Sequence, residues 1–114
     1  KKDEIENAEY HFEKALEFGI SKKVPVYHRT LAKIADQKKD LKTAIHHYKD
    51  AFKYGKDPVV LYLLARASDI YYKDKSIAMR YYRKYIESDD EHRPYKDYAS
   101  DRLYYLKEQR HLEK

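Results

Sequence analysis

The chain has 114 residues, of which 42% are apolar and 39% charged, with only two glycines, three prolines and a net charge of +5. That profile does not fit a disordered chain and fits one helical domain with well-solvated outer faces. Cysteine is absent, which excludes disulfides and thiolate metal sites.

In chain order, the first predicted helix covers residues 3 to 18. Ile5, Ala8, Phe12, Ala15, Leu16 and Phe18 form its apolar stripe, and Gly19 ends it. A second helix is expected from Pro25 to Gln37, with proline in the first turn, where its missing N–H would have been unpaired anyway. Tyr27, Leu31, Ala32, Ile34 and Ala35 are its inward positions. The break at Gln37-Lys38-Lys39 is short, so the next helix, 40 to 54, folds back antiparallel. In that helix Leu41, Ala44, Ile45, Tyr48, Ala51 and Phe52 recur at helical spacing, Asp40 is the N-cap, and Gly55 is suited to the left-handed stop.

Asp57-Pro58 is a strong helix start, and a fourth helix is predicted over 58 to 72. After Lys73-Asp74-Lys75, a fifth spans 76 to 87, with Ile77, Ala78, Tyr81, Tyr82, Tyr85 and Ile86 on its stripe. Asp89-Asp90-Glu91 reads as an acidic helix-entry loop, since it lacks the alternating ligands and central glycine of a calcium loop. Pro94 opens a last helix, 94 to 112, whose second half is polar almost all round, as expected of a cap.

These elements repeat. Ala8-xxx-Phe12-xx-Ala15 recurs as Ala44-xxx-Tyr48-xx-Ala51 after 36 residues, and as Ala78-xxx-Tyr82-xx-Tyr85 after 34 more. Leu31-Ala32 recurs as Leu64-Ala65 and then as Tyr98-Ala99, and Gly19 recurs as Gly55. Paired antiparallel helices at a period of about 34 residues, with small and aromatic residues at these positions, resemble the tetratricopeptide repeat. The resemblance implies an all-α, right-handed α-solenoid of about six helices. It divides 1–114 into an orphan second helix (3–19), two repeats (25–55 and 58–88) and a capping helix (94–112). His28 stands where the family has an aromatic, and Tyr85 where it has a small residue, which should push the cap helix outward. Because the chain opens inside a repeat, it is expected to be a fragment of a longer protein. The bare face of its first helix should then meet upstream repeats or a second copy.

Chemistry is sparse. The histidines, His11, His28, His46, His47, His92 and His111, include no H-E-x-x-H pair. Adjacent His46 and His47 diverge by about 100° on a helix and are poorly placed to share one ion. No Ser/His/Asp grouping and no phosphate-cradling glycine loop occurs. The expectation is therefore no enzyme, no cofactor and no metal. The longest apolar run, Val59 to Ala65, falls far short of the roughly 20 residues that span a bilayer, and no signal peptide is seen. A soluble chain without membrane insertion is expected.

The family's geometry implies that the first helix of each pair lines a concave groove. Beside Val26 and Val59, the groove positions are Arg29, Lys33 and Asp36 in one repeat and Tyr62, Arg66 and Asp69 in the next, with Lys96 and Ser100 on the cap. A mildly basic groove of this kind favours a protein or peptide segment carrying carboxylates. The competing expectation is a neutral solvated face, in which Lys33 pairs with Asp36 and Arg66 with Asp69 at i,i+3. Fourteen tyrosines open one alternative, an RNA-binding helical repeat that stacks bases on pairs such as Tyr71-Tyr72 beside Lys73 or Tyr81-Tyr82 beside Arg83. Core packing accounts for Tyr48, Tyr82, Tyr85, Tyr98 and Tyr105 equally well.

Overall fold

A computed structural model of the chain describes residues 24–112. The helix expected over 3–18 and its stop at Gly19 lie outside the described residues. Within them the protein is all-helical: α1 (Val24–Gln37), α2 (Leu41–Gly55), α3 (Pro58–Tyr71), α4 (Lys75–Glu87) and α5 (Arg93–Leu112). The chain divides into two compact units, Lys1–Lys56 and Asp57–Lys114.

In the first unit α1 packs on α2. The pair is antiparallel, since His28 near the start of α1 stacks on Tyr54 near the end of α2. Leu31, Ala32 and Ala35 of α1 meet Ala44, Ile45, Tyr48 and Ala51 of α2 in the core, joined by Val24 and His28. The reversal is made by hydrogen bonds from Lys39 N to Asp36 O and from Asp40 N to Ala35 O, with Lys39 left-handed at φ 63°. This is the C-terminal capping geometry that usually takes glycine. Asp40 then caps α2 by accepting from Thr43 N at 3.3 Å.

The end of α2 differs from the expected glycine stop. Gly55 is the last helical residue, and Lys56 carries the left-handed turn at φ 58°. Gly55 is needed for a different reason: a Cβ there would stand 2.6 Å from Pro25 Cβ, closer than carbon atoms approach. The glycine lets the two helix ends touch. Gly55→Ala is therefore expected to lower stability by about 1–3 kcal/mol through overpacking. Lys56→Gly should be neutral or raise it by up to about 1 kcal/mol by relieving the left-handed backbone. The thermal midpoint should fall for Gly55→Ala and not for Lys56→Gly, and a stabilised Gly55→Ala would refute the contact.

In the second unit α4 packs between α3 and α5. Asp57 caps α3 from Val59 N at 3.0 Å with Pro58 following, and Asp74 caps α4 from Ser76 N at 3.0 Å. Val60, Leu61, Leu64, Ala65, Ala78, Met79, Tyr82, Tyr85, Ala99, Leu103 and Leu106 form the core. Beyond Leu106, α5 is exposed on all sides to Leu112, as its polar second half predicts. Tyr85, expected to displace the last helix, is fully buried, and its hydroxyl donates to Asp90 Oδ2 at 2.5 Å.

Candidate functional site

The predicted groove positions fall in both units and are described unit by unit. In the first, Lys33 is exposed, while Arg29 and Asp36 are half-buried. Among the described residues no ion pair joins Lys33 to Asp36. In the second unit the positions have divided fates. Arg66 and Ser100 are exposed, Lys96 is half-buried, and Tyr62 and Asp69 are buried.

The Tyr62 ring stacks on Tyr95 at 4.2 Å and meets Tyr85 at 5.4 Å and Tyr98 at 6.0 Å, edge-on to the last. These separations are ordinary for aromatic packing. Burial, partly offset by the nearby Arg66 charge, raises the Tyr62 hydroxyl above its usual pKa. Lys96 lies over the Tyr85 ring at 4.9 Å and donates to Tyr85 O, Ile86 O and Ser88 O, three carbonyls at the end of α4. A cation at this terminus satisfies carbonyls that the helix cannot and sits at the negative end of its dipole. Lys96 is thereby a helix cap.

Asp69 is the centre of the second unit's polar interior. Its carboxylate accepts from Arg102 Nε at 2.6 Å and Arg102 Nη2 at 3.0 Å, a two-point contact, and from the Tyr82 hydroxyl at 3.1 Å. Lys75 Nζ stands 3.5 Å from Asp69 Oδ1 and also donates to the Asp69 and Tyr72 carbonyls. Burial pushes the Asp69 carboxyl up, but the Arg102 bonds and charge, the Tyr82 hydroxyl and Lys75 outweigh it and hold the group below its usual range. Burial, then the Asp69 charge, pushes the Tyr82 hydroxyl far up. The i,i+3 pairing of Arg66 with Asp69 is thus not formed.

Arg66 instead sits over two rings, with Cζ 5.7 Å from Tyr98 and 6.0 Å from Tyr62. Tyr98 is 43% exposed and Tyr105 50% exposed, so these two are surface residues, unlike the core positions their repeat register suggested. Arg102 lies over the Tyr105 ring at 5.1 Å. The exposed face of α3 and α5 therefore carries a guanidinium and two tyrosines. Of the pairs singled out for base stacking, Tyr82 is fully buried and Tyr81 half-buried, while Tyr71 is exposed and meets Tyr72 edge-on at 4.9 Å.

The first unit holds a cluster that spacing within one helix did not reveal. His28 of α1 and His47 of α2 place their Nδ1 atoms 3.2 Å apart. Asp50 Oδ2 lies 4.0 Å from His28 Nδ1 and 3.5 Å from His46 Nε2. His28 is buried, and that burial lowers its pKa against the opposing pull of Asp50. The signal available in sequence was His28 standing where the tetratricopeptide resemblance expects an aromatic. The helical stripe put Tyr27 and Ile34 inward instead, and these are only half-buried whereas His28 is buried.

None of the described helices is long and apolar enough to cross a membrane. The chain has no match among protein-family models, curated proteins or solved structures.

Proposed function

We propose that this chain is a non-enzymatic protein-interaction scaffold: a tetratricopeptide-like, right-handed α-solenoid that holds an acidic partner segment in a mildly basic groove. One observation carries the reading. Asp69, the residue that would neutralise Arg66 on an ordinary solvated face, is turned inward to Arg102 and Lys75. Arg66 keeps its charge at the surface beside Tyr98, and arginine with tyrosine is the pairing enriched where proteins bind one another. Lys33 is the matching exposed cation of the first unit. A carboxylate-bearing segment would gain charge-assisted hydrogen bonds from Arg66, and rim cations of this kind speed association more than they deepen it.

The test is a nuclease-treated pull-down comparing the chain with a Lys33→Glu, Arg66→Glu variant of equal helicity. A protein captured by the chain and lost by the variant is the expected result. Equal recovery would place recognition elsewhere and overturn the reading. A partner that disappears on nuclease treatment, with binding that weakens steeply in salt, would instead favour the RNA-binding alternative.

A further inference from the structure

We infer that His28, His47 and Asp50 form a binding site for a divalent transition-metal cation of the zinc type, clamped between α1 and α2. The donor set is two imidazole nitrogens and a carboxylate, which suits zinc and its neighbours and not the all-oxygen preference of magnesium or calcium. One donor atom from each of the three residues lies within 4.8 Å of the others.

The spacing of the two nitrogens is the specific feature. A tetrahedral ion with bonds of about 2.0–2.1 Å holds two of its ligand nitrogens about 3.3 Å apart, and His28 Nδ1 and His47 Nδ1 stand 3.2 Å apart. Two imidazole lone pairs at that distance repel unless a proton or a cation lies between them. Asp50 Oδ2, 4.0 Å from His28 Nδ1, is beyond hydrogen-bond reach of that atom and brings negative charge to the same point. Closing onto an ion brings it about 0.7 Å nearer His28 Nδ1, from 4.0 Å to the roughly 3.3 Å of a tetrahedral ligand pair, within the side-chain freedom of a residue that is only half-buried.

The surroundings favour a fixed site. The His28 ring stacks on Tyr54 at 5.7 Å and 14° between planes, and the packed core of the helix pair holds its backbone. His47 and Asp50 are spaced i,i+3 on α2, so they share a face. Both are half-buried, which leaves room for water to complete the coordination. Because the ligands come from two helices, a bound cation would cross-link the hairpin and stabilise it against unfolding.

The whole chain, stripped of metal with a chelator, would be titrated with Zn2+ by calorimetry and thermal unfolding, and with Co2+ by visible absorption. One equivalent of Zn2+ should bind and raise the melting temperature, and Co2+ should give the intense visible bands of a tetrahedral ion. His47→Gln and Asp50→Asn, both at half-buried positions that should preserve the fold, should each weaken Zn2+ binding at least about tenfold. His92→Gln, at an exposed position of α5's entry, should leave it unchanged. A metal-independent melting temperature, a Co2+ spectrum like that of the hydrated ion, or equal affinity in the His47→Gln and His92→Gln variants would each overturn the assignment. The Co2+ spectrum of the unaltered chain decides the matter even if a ligand variant fails to fold.

Discussion

Tyr82→Ala should be among the most damaging single substitutions, lowering stability by about 3–5 kcal/mol. Tyr82 is fully buried, lies 6.3 Å from the Tyr98 ring and beside the unexposed Ala78, and gives its hydroxyl to Asp69. Truncation would leave a ring-sized void in a helix pair whose small residues allow close approach and little collapse. Tyr82→Phe separates the two contributions. It keeps the ring and removes one hydrogen bond to a charged acceptor, so it should cost about 1.5–3 kcal/mol. Urea unfolding followed by circular dichroism measures both. An alanine variant losing no more than the phenylalanine variant would mean that the ring contributes nothing beyond its hydroxyl.

Arg102→Leu should follow, at about 2–3 kcal/mol. Removing one partner of a buried pair commonly costs 3–5 kcal/mol, but Arg102 is partly exposed, and Lys75 and Tyr82 still attend Asp69, so the lower figure applies. The loss should depend on pH in a definite sense. Asp69 has a folded-state pKa below its unfolded value, so its contribution is complete above about pH 4 and disappears as pH falls through the folded-state value. The gap between the unaltered chain and Arg102→Leu should therefore be full at pH 7 and narrow below pH 4. A gap that widens on acidification would show that the carboxylate is not the charged partner.

Much of the helical plan was legible. The apolar stripes predicted α2, α3 and α4 to within a residue at each end, and Asp40 and Asp57-Pro58 marked two of the starts by a local mechanism, the capping of free N–H groups; Asp74, read only as part of a turn, caps the third. What escaped was set by contacts between helices. His28 and His47 are nineteen positions apart, so no spacing rule within one helix unites them. Gly55 was read as a turn residue, yet it is the approach of Pro25 that requires it. Asp69 and Arg66 share a helical face in projection, but Arg102, thirty-three positions away, takes the carboxylate. Tyr98 was assigned to packing by repeat register, whereas on the last helix its ring is left partly in solvent.

The inward turn of Asp69 is the point on which the surface reading depends, and a pair of double-mutant cycles measures it directly. One cycle combines Asp69→Asn with Arg102→Leu, the other Asp69→Asn with Arg66→Leu, each read by urea unfolding at pH 7. The predicted result is a coupling of about 2 kcal/mol between Asp69 and Arg102 and none beyond about 0.5 kcal/mol between Asp69 and Arg66. A strong coupling to Arg66, with none to Arg102, would mean that Asp69 neutralises the surface arginine after all, and the cationic binding face would be lost.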